Sequence, residues 1–201
     1  MGQIHEIAVN RLRPTQITVG MVEVHDKIKH LKEVRDHPHH LKEFLACHPI
    51  PVVEGPEEKY YVVDHHHLGR AMWEANVDGA SLEVIANLAK LAGEGFWNEM
   101  DRQKWVHPYD DQGRKKHFDE IPHHLRQLLD DPYRSLAAYV RNAGGYDKTQ
   151  KPFAEFVWAD FFRTRIPAKL VKDDFDKAIQ QALAYAGSAA AAKMPGYIER
   201  K

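Results

Sequence analysis

The sequence predicts an α/β protein whose first half mixes strands with helices and whose second half is mostly helical. Up to about residue 95, short apolar or β-branched runs alternate with segments of helical periodicity. Proline and glycine mark many of the boundaries. From residue 96 onward nearly every apolar pattern has helical spacing. We therefore expect an α/β domain over residues 1–95 and a helical region over residues 96–201 packed on it.

The first half is expected to alternate between the two kinds of element. Met21, Val24, Ile28 and Leu31 have helical spacing, and the proline at position 38 ends that helix. Two apolar runs separated by Gly55-Pro56 predict a hairpin. In chain order the sequence predicts strands over residues 4–13, 50–53, 60–63 and 82–88, and helices that begin at residues 21, 41 and 68. The composition of residues 82–88 also allows a helix.

The second half contains stronger helix signals. Leucines at 125, 128 and 129 predict one helix, and Asp131-Pro132 has the composition of an N-cap followed by a first helical residue. An aromatic helix over residues 153–162 is expected to be buried, with Glu155 and Asp160 paired to Arg134, Arg141 or a histidine. An alanine-rich helix over residues 175–192 closes the chain.

Composition narrows the function classes. The formal net charge is −1, so a nucleic-acid partner is possible but not supported by charge. Cys47 is the single cysteine, which excludes an intrachain disulfide and a cysteine zinc site. The chain shows no signal core and no long apolar run. We expect a cytoplasmic protein that does not cross a membrane.

The stretch DHHHLGR, residues 64–70, carries the clearest chemical signal and is called the histidine turn below. It joins a strand to a helix, so helical N–H groups and the positive end of the helix dipole are available to an anion. Gly69 permits close approach, and Arg70 can bind phosphate through two hydrogen bonds. The histidines can also bind metal or move protons. A metal site and a solvated loop therefore remain alternatives.

These residues resemble a known family. VVDHHHLGRA is similar to the (I/V)-x-D-G-x-H-R-x-x-A box of the ParB/sulfiredoxin superfamily, with His65 in place of glycine and Leu68 in place of arginine. RPTQITVG with the downstream Lys27, VVDHHHLGRAMWE, DPYRSLAAYVRNAGGYDK and PFAEFVWADFFR resemble boxes of the family described as "putative ParB-like nuclease". The resemblance covers about residues 4–165.

The resemblance implies a small mixed sheet of the ParB/sulfiredoxin type, with ATP or CTP as candidate nucleotides and Mg²⁺ or Mn²⁺ as candidate metals. His66 or His67 would act as general acid/base, and Asp64 would orient that base or bind the metal. The nucleotide or phosphate would be bound by a larger set: Thr15, Gln16, Lys27, His65, Gly69, Arg70, Arg134, Ser135 and Lys148.

The implied activity is that of a nuclease or another metal-assisted hydrolase or phosphotransferase, acting on a nucleotide or another phosphorylated ligand. Two alternatives remain. One is a non-catalytic sensor of a nucleotide or phosphate, which can switch a homodimer. The other is a DNA-binding partition protein, although the second half shows no clear helix-turn-helix reader.

Overall fold

The structure, a computed structural model, describes residues 4–199 and confirms the predicted α/β class. The chain forms two compact units. Unit 1 comprises the residues up to 19 together with 24–110 and 114–129, and unit 2 comprises 20–23, 111–113 and the chain from 130 onward. The predicted division into residues 1–95 and 96–201 stays a prediction.

Unit 1 is built on a five-stranded mixed sheet of order β1-β6-β4-β5-β2. Strands β1 and β6 are antiparallel, as are β4 and β5, whereas β6 with β4 and β5 with β2 are parallel. The strands are β1 (Ile4–Ala8), β2 (Leu12–Arg13), β4 (Ile50–Glu54), β5 (Tyr60–Val62) and β6 (Gly79–Asn87), and a short strand β3 (Thr18–Val19) follows β2.

The helices of this part of the chain are α1 (Met21–Arg35), α2 (Pro38–Cys47), α3 (His66–Glu74) and α4 (Gly93–Arg102). The predicted hairpin over residues 50–63 is confirmed, with Val52 opposite Val62 and both side chains fully buried. Because β2 and β5 are parallel neighbours, the segments that follow them leave the same edge of the sheet. That edge carries the histidine turn.

Unit 2 is helical, with α5 (Pro132–Asn142), α6 (Ala154–Arg163), α7 (Ala168–Asp173) and α8 (Phe175–Ala186). The predicted cap of α5 is confirmed, since the Asp131 side chain accepts a hydrogen bond from the Tyr133 amide. Trp158 and Phe162 on α6 are fully buried, as the aromatic pattern predicted. They form one core with Leu136, Ala137 and the alanines of α8.

Three predicted elements need correction. The first strand is interrupted by a 3-10 turn (Val9–Arg11) between β1 and β2. The helix predicted at the leucines near 125 is wrong, because the chain makes a 3-10 turn (Leu125–Gln127) and the Leu129 amide then donates to the Ile17 carbonyl. Leu129 thereby begins strand β7 (Leu129–Asp130). The last helix ends at Ala186, where Gly187 follows. Helices α4 and α7 were not predicted.

Among the described residues, no helix combines the length and the apolar character that a bilayer crossing requires.

A close approach within unit 2 gives a first testable prediction. A Cβ at Gly20 would lie 2.4 Å from Ser135 Oγ and 2.5 Å from the Ser135 amide nitrogen. Gly20→Ala should therefore lower the free energy of unfolding by about 1–3 kcal/mol, the usual cost of overpacking, as measured by urea denaturation. Gly95→Ala is the matched control. No atom lies within 4 Å of its added Cβ, and alanine favours a helix by about 1 kcal/mol over glycine. Equal stability changes in the two variants would contradict the packing argument.

Candidate functional site

The histidine turn is shaped by a residue in the left-handed region. His65 has φ of 65° and ψ of 25°, and it is the N-cap of α3. A side chain is strained in this region, whereas glycine is not, so the geometry explains why glycine suits this position in the resembling box. The Asp64 side chain accepts a hydrogen bond from the His65 amide at 2.6 Å. The first bond of α3 runs from the Gly69 amide to the His65 carbonyl.

His66 is buried, unlike its neighbour His65. Only 5% of it is exposed, and its Nε2 accepts a hydrogen bond from the Thr15 amide at 3.1 Å. The Thr15 hydroxyl lies 3.3 Å from the same nitrogen and donates to the Val62 carbonyl at 2.6 Å. An imidazole nitrogen that accepts from an amide carries no proton. His66 is therefore bound through Nε2 to the backbone.

Thr15 also connects this pair to a third segment. Its carbonyl accepts from the His107 amide at 2.8 Å, and Gln16 forms a parallel bridge with His107. Gln16 is buried and donates through Nε2 to the Thr18 carbonyl. The structure thus brings the predicted residues Thr15, Gln16 and His66 together, and it adds His107. The sequence signal for His107 is the alternation of polar and apolar residues after Trp105.

Gly69 and Arg70 make contacts within the protein. A Cβ at Gly69 would lie 2.9 Å from Leu125 Cδ1, so this glycine lets α3 pack on the 125–127 turn. Arg70 donates through Nε to Glu74 at 2.8 Å and through Nη1 to the Leu128 carbonyl at 2.7 Å. Two of its donor groups are therefore engaged. Direct contact of either residue with an anion stays a prediction.

The other predicted residues of unit 1 are more exposed than His66. Asp64 is exposed, and His67 and Lys27 are half-buried on α3 and α1. Among the residues whose side chains the structure describes, no group of three or more His, Cys, Asp or Glu side chains is placed to hold a metal ion. The donor set around Asp64 therefore does not fit a divalent ion held by protein ligands alone.

Three predicted ligand residues belong to unit 2. Arg134 is buried, pairs with Glu155 at 3.2 Å and lies 3.9 Å over the Phe156 ring. Ser135 Oγ accepts from the Val22 amide, and Lys148 is exposed. The two acids of α6 both form ion pairs. Glu155 pairs with Arg134 and Arg141, and Asp160 pairs with Arg163. The predicted partners of Glu155 are confirmed, whereas Asp160 pairs with an arginine that was not predicted.

Arg13, at the end of β2, is bound to two consecutive histidines. Its Nη1 donates to His124 Nδ1 at 3.0 Å and also to the His123 carbonyl. Burial lowers the pKa of His124 below its ordinary value, and the charges of Arg13 and Arg126 lower it further, against a hydrogen bond with the Asn10 backbone. This contact was not predicted from the sequence.

The left-handed residue gives a testable prediction. His65→Gly should raise the free energy of unfolding by up to about 1 kcal/mol, because glycine adopts this conformation without strain. His65→Val should lower it by about 1–2 kcal/mol, since a β-branched residue is a clear outlier at positive φ. Chemical denaturation of both variants measures the difference. A valine variant as stable as the glycine variant would show that the turn is not left-handed in solution.

The Arg13–His124 contact predicts a pH dependence. The pKa of His124 is lower in the folded than in the unfolded protein, so His124 takes up a proton more readily after unfolding. The folded protein therefore keeps its full stability above the pKa of the unfolded histidine, about 6.5, and loses stability as the pH falls below that value. His124→Asn keeps an acceptor for Arg13 and removes the titration. Between about pH 7 and about pH 5 the variant should gain stability relative to the wild type. His123→Asn is the control for removal of an exposed imidazole, and an identical profile for both variants would refute the assignment.

Comparison with known proteins places the chain in a family. The family model described as "Putative ParB-like nuclease" matches residues 5–164. The crystal structure of protein Atu1540 from Agrobacterium tumefaciens superposes with a TM-score of 0.93 at 40% sequence identity, over 100% of this chain and 99% of that chain.

A second structure, the C-terminally truncated chromosome-partitioning protein ParB from Caulobacter crescentus complexed with CTP-gamma-S, matches with a TM-score of 0.34 at 12% identity, over 94% of this chain and 95% of that one. No curated protein matches the chain significantly. The family match over residues 5–164 confirms the resemblance noted in the sequence: the chain belongs to the family described as "Putative ParB-like nuclease".

Proposed function

We propose that the histidine turn binds a phosphate group of a nucleotide or phosphodiester. The observation that carries this proposal is the left-handed His65 between the end of β5 and the first turn of α3. In such a turn the first N–H groups of the helix and its dipole favour an anion. The hydrogen bonds of Thr15 to His66 and Val62 hold the turn in place, so little ordering is needed when a ligand binds.

The residues of the turn have different roles in this proposal. His66 positions Thr15 and does not act as the general base, because its Nε2 already accepts the Thr15 amide. His67, half-buried on the first turn of α3, is the general acid/base. Asp64 orients it or binds a metal that the ligand phosphates help to hold. Arg70 contributes positive charge while it remains tied to Glu74 and Leu128.

The family description favours phosphodiester hydrolysis as the activity, with ATP or CTP as further candidate ligands. A second function, a non-catalytic phosphate or nucleotide sensor, is favoured by one observation. The buried histidine of the turn is engaged with the backbone, which leaves fewer groups for proton transfer. DNA partition has less support, because the net charge of −1 provides no extended positive field. A homodimer and a cytoplasmic location stay predictions.

Anion binding is tested by a matched pair of substitutions at one residue. Pyrophosphate, ATP and CTP should each raise the melting temperature of the wild type, because a ligand bound only by the folded state stabilises it. His65→Gly should retain this shift. His65→Asp adds a carboxylate at the N-cap, where the helix tolerates it. It should weaken anion binding about 5- to 100-fold, the effect of a like charge at about 4 Å.

The exposed His39→Ala variant, on α2, is the control for loss of an imidazole elsewhere. If pyrophosphate, ATP and CTP all leave the wild-type melting temperature unchanged, the proposal fails. Equal binding by the aspartate and glycine variants would place the anion away from this turn.

Hydrolysis of bis(p-nitrophenyl) phosphate with added Mg²⁺ or Mn²⁺ separates an enzyme from a sensor. An enzyme should turn the ester over. Its His67→Gln variant should lose about 100-fold or more in kcat, a typical acid–base contribution, while its affinity for pyrophosphate is kept. A wild-type protein that binds pyrophosphate and does not hydrolyse the ester contradicts phosphodiester hydrolysis and favours the sensor.

A further inference from the structure

The segment 106–110 of unit 1 alternates in burial like a strand with one open face. Val106, Pro108 and Asp110 are buried, whereas His107 and Tyr109 between them are half-exposed. Successive side chains of an extended segment point to opposite sides, so the two aromatic residues share the face away from the core. Their rings stack, with centroids 4.3 Å apart and planes inclined by 20°.

A short hairpin supports this ring pair. Tyr109 forms an antiparallel bridge with Lys115, and the Lys116 amide donates to the Pro108 carbonyl at 2.8 Å. The Asp110 carboxylate closes the loop by accepting from the amide and the Nε of Arg114 at 2.9 and 2.8 Å. Lys115 is exposed, and residues directly opposite in an antiparallel pair share a face. We call His107, Tyr109 and Lys115 the aromatic platform.

The aromatic platform is linked to the histidine turn through one residue. The His107 amide donates to the Thr15 carbonyl at 2.8 Å, and the Thr15 amide donates to His66 Nε2 at 3.1 Å. Both contacts lie within unit 1. One buried threonine therefore joins the backbone of the aromatic platform to the turn that we propose as the phosphate site.

We propose that the aromatic platform binds a nucleobase of the ligand whose phosphate is held at the histidine turn. This inference rests on the proposed function and deepens it. A planar base stacks on an aromatic face, and each of the nucleobases offers such a face. Lys115 supplies a flexible positive charge for a second phosphate. The ligand is thus a nucleotide, free or within a single strand, and not inorganic phosphate or a sugar phosphate.

Calorimetric titration with cytidine 5′-monophosphate and ribose 5-phosphate isolates the contribution of the base. The wild type should bind the nucleotide more tightly than the sugar phosphate by about 5- to 150-fold, the range expected for one stacked base. Tyr109→Leu should abolish this ratio and leave ribose 5-phosphate affinity unchanged. Tyr109→Phe keeps the ring and should keep the ratio. Adenosine 5′-monophosphate should behave similarly, because stacking tolerates different bases.

Each outcome decides between the hypotheses. Equal wild-type affinity for cytidine 5′-monophosphate and ribose 5-phosphate overturns the platform and leaves the phosphate site standing. The same loss of both ligands in Tyr109→Leu also overturns it, since the effect then comes from the fold, which thermal melting reports. If the wild type binds neither ligand, both proposals fail. If a base-dependent, Tyr109-dependent affinity persists while pyrophosphate does not bind, the platform stands and the phosphate site fails.

A ten-residue oligocytidylate distinguishes the two sources of the base. For a single-strand ligand, the oligonucleotide should bind more tightly than cytidine 5′-monophosphate, with an affinity that falls as salt rises. Lys115→Gln should then reduce the slope of log affinity against log salt by about 1, the value expected for one lost phosphate contact. For a free nucleotide, the oligonucleotide should bind no more tightly than the monophosphate. Both results support the platform, provided that Tyr109→Leu weakens the tighter ligand.

Discussion

The hydrogen bonds of Thr15 are the constraint on which the rest of the candidate site depends. Its amide donates to His66, its hydroxyl donates to Val62 and its carbonyl accepts from His107. Thr15 is only 1% exposed, so a group that lost its partner would stay buried at a cost of about 1–3 kcal/mol. The ends of β2 and β5, the start of α3 and the 106–110 segment therefore keep one arrangement without help from a ligand.

A second constraint is the left-handed backbone at residue 65. Glycine would adopt this conformation without strain, whereas histidine costs free energy there. The side chain of His65 is exposed, so core packing does not recover that cost. Strained residues of this kind cluster where a chain binds or reacts. Phe153, the N-cap of α6, has the same left-handed backbone. The strain therefore supports the proposed ligand-binding role only together with the Thr15 hydrogen bonds that fix this turn.

The sequence predicted the local features of this site and missed those set by distant partners. The β5–turn–α3 unit and the cap of α5 follow from apolar periodicity and from residues a few positions apart. Three adjacent histidines look equivalent in sequence, whereas in the structure His66 is the buried one and accepts a hydrogen bond from Thr15, 51 residues away. The failed helix after Leu125 has the same cause, because the Leu129 amide is paired with Ile17 of another segment.

Two arginines of unit 1 show how these constraints affect the chemistry. Arg13 is held by His124 and the His123 carbonyl, and Arg70 by Glu74 and the Leu128 carbonyl, so both side chains have fixed positions. Fixed positive charge attracts a phosphate without the reorganisation that a mobile side chain requires. With His66 Nε2 bound to Thr15, the proposed mechanism assigns proton transfer to His67 and Asp64. In the proposed function, anion binding thus depends on preorganised charge and backbone, whereas catalysis depends on His67 and Asp64.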